Sequence, residues 1–259
     1  MIGINGFRRR NGLSRTCLQT GKKSRGLSQG KAVSDVKGFY LEYVLDQASS
    51  AWPCCHFGAV SVQNLTEREK WFFSAFMPGA TTAIVVCHHV VTTEEWTWHQ
   101  PTDGVERCDA DDHALEVCVD LQKRLDGYGF QNRTVDYPGE SGLQFRFVAQ
   151  AAGLGRIGRN AFLLHPIWGP WVHLRVLGTT ASLEECASPA IEEVCCECNQ
   201  CVDACPAGAI TKDGFEGLRC RAYRREQGEY VPAGEKQVYH WCITCAQVCP
   251  IGDRPKPAN

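Results

Sequence analysis

The sequence predicts an α+β protein, with an N-terminal mixed-sheet α/β sandwich-like domain followed by a small cysteine-rich domain. Three observations carry this. Residues 82–91, Thr-Ala-Ile-Val-Val-Cys-His-His-Val-Val, are a continuous β-branched run and read as a buried strand. Ala114, Cys118, Leu121 and Leu125 recur at spacings of four, three and four, which is one face of a helix. The last quarter of the chain then concentrates two cysteine motifs, each ending in Cys-Pro.

The elements follow in order. Residues 1–34 form a basic extension rich in Gly, Ser, Arg and Lys, expected to be disordered. It holds eight Lys or Arg and no acid up to residue 31, which leaves 19 Lys or Arg against 29 Asp or Glu beyond it. The acidic remainder argues against a broad nucleic-acid surface, although the extension could bind one through its charge. Arg8-Arg9-Arg10 lacks the apolar run that an export signal needs. Residues 35–48 place Phe39, Tyr43, Val44 and Leu45 at helical spacing. Thr66 and Glu69 form a capping box before Trp71-Phe72-Phe73, and Pro78-Gly79 ends that helix. Gly127 is expected to close the helix that contains Leu125. Strands are expected at 132–136, 161–164 and 171–179, with a helix at 141–152. The α+β part thus runs over 35–182, the cysteine-rich domain over 183–253, and a tail over 254–259. No stretch reaches the ~18 apolar residues of a membrane span.

The cysteine-rich domain carries the chemistry. Cys195, Cys198, Cys201 and Cys205-Pro206 read C-x2-C-x2-C-x3-C-P, the spacing that wraps a 4Fe–4S cube in bacterial two-cluster ferredoxins. The cube needs one thiolate per iron, and the fourth cysteine of such a run ligates the other cluster. Cys242, Cys245 and Cys249-Pro250 repeat the motif with Tyr239 in the first slot. By this crossover Cys249 joins Cys195, Cys198 and Cys201, while Cys242 and Cys245 join Cys205. Cys220, the only cysteine between the motifs, is assigned to the remaining corner. The alternative is a three-iron second cluster with Cys220 free. Zinc accounts for paired C-x2-C motifs, but not for three cysteines in series or for two Cys-Pro endings. Sixteen cysteines could suggest a disulfide scaffold, but such scaffolds are short, whereas 259 residues can bury a core. The domain is therefore bacterial ferredoxin-like with two 4Fe–4S clusters, which fits a reducing cytoplasm.

Other motifs carry less. Gly153-Leu154-Gly155-Arg156-Ile157-Gly158 matches G-x-G-x-x-G, but a helix is expected before it and no acid follows before Leu183, so a dinucleotide site is not expected. His113, in Asp111-Asp112-His113, falls short of the D-x-H-x-x-G pattern of cobalamin-ligating histidines, because the glycine is missing. His88 and His89 read as structural histidines at a strand end, with a ligating or proton-shuttling pair as the alternative. Cys54-Cys55-His56 reads as an isolated group, unligated, with a reactive thiol as the alternative. Trp168 and Trp171 read as core, or else as walls for a flat cofactor.

Ala152 to Asn160, then Leu163-Leu164, the strand 172–179, the two cluster motifs, and Cys220 with Tyr223, Glu226 and Gly228 together resemble the epoxyqueuosine reductases, and more distantly the reductive dehalogenases. The resemblance covers about residues 150–250. It implies a base-off cobalamin in the α+β domain with no protein histidine on cobalt, and Gly153, Gly155 and Gly158 lying against the corrin. It implies electrons passing one at a time from the nearer cluster, a donor such as ferredoxin or flavodoxin, and a small-molecule or modified-nucleoside substrate. In Val135-Asp136-Tyr137-Pro138 it makes Asp136 the proton donor, buried and so raised in pKa; the residues alone also allow a turn-starting Asp. The sequence ends just past Cys249-Pro250, before the family's tRNA-contacting region, so a tRNA substrate is not expected. The competing reading is a two-cluster electron-transfer protein without corrinoid, serving a partner reductase or corrinoid protein.

Overall fold

The computed structural model describes residues 37–100, 107–137, 142–183, 195, 197–227, 230–233, 236–239 and 242–254. The extension 1–34, residues 255–259, Cys196, Pro138 and Gly228 lie outside the described residues. All the described residues fall in one unit, Ser34–Asn259.

The centre is a four-stranded sheet in the order β1 (Cys55–Ser61), β2 (Thr82–His89), β8 (Val172–Thr179), β5 (Asn132–Thr134). The α+β class holds, with one difference: a mixed sheet was expected, and every pairing in this sheet is antiparallel. Alternation along β2 divides the core. Ile84 and Val86 face α1 (Lys37–Ala51) and α3 (Asp109–Gly127), where they meet Leu41, Val44, Val117, Leu121 and Leu125. Ala83, Val85 and Cys87 face the opposite way, toward Phe73 of α2 (Glu67–Phe76) and Phe145 and Val148 of α4 (Phe145–Ala151). Helices on both faces explain why β2 is apolar on both sides rather than alternating with polar residues.

The capping box at Thr66 and Glu69 forms as its residues predict. The end of α3 differs. Gly127 is its last residue, and the chain turns at Gly129 (φ 77°), with Gly129 N–H donating to Asp126 O and Phe130 N–H to Leu125 O. Two residues compatible with the cap stood close together, and the buried Phe130 selects the later one.

A second sheet, in the order β4 (Arg107–Cys108), β3 (Trp98–Gln100), β10 (Lys236–Tyr239), β9 (Tyr230–Ala233), pairs residues from before α3 with residues from between the two cysteine motifs. β6 (Arg156–Ile157) and β7 (Leu163–Leu164) form a hairpin.

Candidate functional site

Two short helices repeat one another. In α5 (Gln200–Asp203), Val202 N–H donates to Asn199 O and Cys205 N–H to Val202 O. In α7 (Thr244–Gln247), Ala246 N–H donates to Ile243 O and Cys249 N–H to Ala246 O. The same turn thus presents Cys201 and Cys205 in one copy, and Cys245 and Cys249 in the other. α6 (Gly217–Gln227) brings in Cys220.

The eight predicted cysteines fall into two sets. Cys195, Cys198, Cys201 and Cys249 line one small cavity together with Arg159, Asn160 and Leu164. Burial pushes the Cys201 thiol up, and Cys195, Cys198 and Cys249 add to it. Burial also pushes up Cys249, with Cys195 and Cys198 adding. In the other set, burial pushes Cys245 up to about 12, with Cys242, Cys220, Cys201 and Cys205 adding. Cys220 is raised by burial as well, and Cys205 and Cys242 act on it. Crowded thiols of this kind resist ionising together until a cationic metal centre offsets their charge. The two last cysteines of the motifs cross between the sets: Cys249 sits with the first set and Cys205 with the second. The Ala209 N–H donates to Cys205 Sγ at 3.3 Å, a contact of the kind that tunes cluster potential.

In the first set Cys201 and Cys249 are buried and Cys195 and Cys198 half-buried, while all four cysteines of the second set are half-buried. The seam above the first set is made by the loops around the β6–β7 hairpin. Arg159 Nη1 donates to Asn199 Oδ1 at 2.6 Å, and buried Asn160 donates from Nδ2 to Cys245 O at 3.3 Å. The sequence reading missed these two residues as anchors. The only signal for them was their position directly after the glycine motif.

The glycines have local work. Gly153 (φ 79°) closes α4: its N–H donates to Gln150 O, and Leu154 N–H donates to Ala149 O. A Cβ on Gly155 would overlap the Leu164 carbonyl oxygen, and one on Gly158 would come 2.6 Å from Leu164 Cδ1. The hairpin itself fills the space into which a Cβ on Gly155 or Gly158 would point. Asp136 is exposed, so burial does not prepare it as a donor. It follows Val135, whose N–H donates to Val176 O, and precedes Tyr137, whose ring lies parallel to His173 at 5.9 Å. Burial pushes the Tyr137 hydroxyl up to about 12.

Trp168 and Trp171 are buried. Trp168 stacks on His89 (4.8 Å) and His165 (4.4 Å), and His56 Nδ1 lies 3.0 Å from His165 Nε2. Burial lowers His165 to about 3, so this aromatic group is neutral near pH 7. His113 is exposed on α3. Among the described residues no helix is long and apolar enough to cross a membrane.

Residues 194–252 match the family described as the 4Fe-4S double cluster binding domain, and the chain thus carries the domain for two such clusters. The chain is similar to the epoxyqueuosine reductase of Listeria monocytogenes, 35% identical over 108 residues, which is 40% of this chain and 28% of the relative. Its fold is that of an epoxyqueuosine reductase solved with an epoxyqueuosine-modified tRNA-Tyr stem loop: TM-score 0.62, 19% identity, covering 82% of this chain and 65% of that one. A catabolic reductive dehalogenase in complex with 3-bromo-4-hydroxybenzoic acid shares the fold at TM-score 0.57 and 16% identity, over 83% of this chain and 32% of that one. The resemblance to epoxyqueuosine reductases thus spans less than a third of the curated relative's length.

Proposed function

We propose that the protein is an iron–sulfur reductase in which electrons enter through the second cysteine set and leave through the first, toward the α+β half. Cys195, Cys198, Cys201 and Cys249 would hold one 4Fe–4S cluster, and Cys205, Cys220, Cys242 and Cys245 the other. The observation that carries this reading is the placing of the first set. Cys195, Cys198, Cys201 and Cys249 close against Arg159, Asn160 and Leu164 of the α+β half. A shuttle protein gains nothing by turning one cluster into its own interior. A reductase needs that arrangement, because the reacting centre must be close to the cluster and shielded from water.

The acceptor in the α+β half is proposed to be a base-off corrinoid, whose low-valent cobalt supplies the reducing chemistry when bound. Gly153, Gly155 and Gly158 are proposed to lie against it, and no step is built on it. The substrate proposed is a modified nucleoside or another small electrophile, with Asp136 as the proton source; its exposure leaves it accessible to a substrate. Anaerobic titration with cob(II)alamin, read by EPR, should give a base-off signal with both clusters retained. Absence of binding with both clusters present would favour the electron carrier. Asp136→Asn should leave that signal unchanged and slow turnover of an epoxyqueuosine-bearing stem loop.

The ligand assignment has its own test. Cys220→Ser should leave the first cluster intact and damage the second, toward a three-iron form. Iron counting and EPR that find two intact four-iron clusters in this variant would remove Cys220 from the ligand set.

A further inference from the structure

A third group of metal-type ligands lies away from the cluster cysteines. The chain turns at Trp52, with Cys55 N–H donating to Trp52 O at 2.9 Å, so Cys54 precedes β1 and Cys55 opens it. The β1–β2 register sets Cys55 directly opposite His88, and cross-strand partners share a face of the sheet. The Cys54 and Cys55 sulfurs are 4.0 Å apart, and Cys55 Sγ is 3.5 Å from His88 Nδ1. One ligand atom from each of the three residues lies within 4.8 Å of the others. A tetrahedral zinc centre with bonds of about 2.3 Å to sulfur and about 2.0–2.1 Å to nitrogen has edges of roughly 3.8 Å and roughly 3.5 Å. The Cys54–Cys55 and Cys55–His88 separations are close to those edges, and the third pair lies within 4.8 Å. They are far from the ~2.05 Å of a disulfide.

The surroundings fit a bound cation. Cys55 and His88 are 2% and 5% exposed. The other ring nitrogen of His88, Nε2, has no hydrogen-bond partner among the described residues and lies 3.9 Å from Glu95 Oε2. A histidine that ligates through one nitrogen commonly offers the other to a carboxylate, and a small shift of Glu95 would make that bond. A cavity of about 240 Å³, lined by Trp52, Cys54, His88, Glu95 and His113 among others, leaves room for a fourth ligand. His56, the neighbour in sequence, turns instead to His165.

We propose that Cys54, Cys55 and His88 bind one Zn²⁺, separate from the iron–sulfur clusters, with the fourth position taken by a water in the Glu95–His113 cavity. Two thiolates and an imidazole are donors that zinc favours, and three protein ligands with an open position is the arrangement of reactive rather than purely structural zinc.

The test uses the whole chain, purified anaerobically after equilibration with zinc and dialysis. Elemental analysis should find about one zinc per chain beside the cluster iron. Zinc-edge X-ray absorption should show about two sulfurs near 2.3 Å and two lighter atoms near 2.0 Å. Cys54→Ser should remove the zinc and leave the iron, Cys220→Ser should leave the zinc, and Glu95→Gln should weaken zinc binding about 10–100-fold. A four-sulfur shell, zinc lost with Cys220→Ser but kept with Cys54→Ser, or no zinc retained by the wild-type chain would each overturn the proposal. The absorption spectrum of the wild-type protein decides the matter even where a variant misfolds.

Discussion

Gly169→Ala should unseat the end of the second cysteine motif and lower the apparent melting temperature by roughly 5–15 °C. Gly169 sits at φ 57°, a left-handed conformation that costs a residue with a Cβ about 1–2 kcal/mol. The larger problem is space. A Cβ there would overlap the carbonyl oxygen of Ile251, and a Cβ on Gly252 would in turn overlap the Gly169 backbone nitrogen. Backbone touches backbone at this point, so no side chain can swing away, and overpacking adds about 1–3 kcal/mol. The sum, spread over a domain of this size, gives the stated shift. Nearby, His165 and Gly169 exchange backbone hydrogen bonds, and Asp253 N–H donates to Ile167 O at 2.9 Å. The segment so clamped begins two residues after Cys249, so the variant should also lose iron from the first cluster faster than from the second. Gly129→Ala is the control: it has a similar φ of 77° with nothing within 4 Å of the added atom. Its melting point should fall only by the conformational share. Equal shifts in the two variants, followed by circular dichroism, would show that the contact with Ile251 contributes nothing.

The contrast between these two glycines also shows what a single sequence could convey. Ligand spacing within each cysteine motif is local, so Cys195, Cys198 and Cys201 could be grouped from their intervals alone. The faces of β2 and α3 were legible because periodicity is local too. The contacts made by the glycines are not. Gly155 and Gly158 fitted a pattern that means close approach, and on their Cβ side what approaches is Leu164, from the other strand of their own hairpin. β1 escaped the reading because Gly58 sits at its middle, where a β-branched residue would be expected. The structure supplies the reason: a Cβ at Gly58 would lie 2.7 Å from Leu154 Cγ, beside the end of α4. With β1 unread, Cys55 could not be set opposite His88, and Cys54-Cys55-His56 read as an isolated group. The resemblance implied a buried Asp136. Val135 is buried, and the chain then carries Asp136 out to solvent.

Asp111→Ala should cost about 3–5 kcal/mol and loosen the segment that carries Asp136. Asp111, His173 and Arg175 are 8%, 7% and 6% exposed. Arg175 holds the carboxylate in a fork, Nε to Oδ1 at 2.7 Å and Nη2 to Oδ2 at 2.5 Å, and His173 Nε2 lies 2.8 Å from Oδ1. Removing the acid leaves the guanidinium buried beside the sheet without its counter-charge, and breaking one side of such a pair is what makes the cost large. Asp111→Asn keeps the shape and one acceptor, so it should lose less than the alanine variant. The consequence reaches the candidate site because Arg175 also donates from Nη1 to Val135 O at 3.4 Å and lies over the Tyr137 ring at 5.3 Å. Val135 and Tyr137 flank Asp136, so both anchors of that residue depend on a correctly held Arg175. Burial alone would raise the Asp111 carboxyl, but the hydrogen bonds from His173 and Arg175 outweigh it and hold the group below the usual range. A depressed carboxylate stabilises the fold above its unfolded value of about 3.9, and that contribution disappears as the pH falls through its lower, folded value. Acid below about pH 4 should therefore destabilise the wild-type protein more steeply than Asp111→Ala, measured as melting temperature against pH. Parallel curves for the two proteins would mean that the carboxylate is not the group that couples this network to protons.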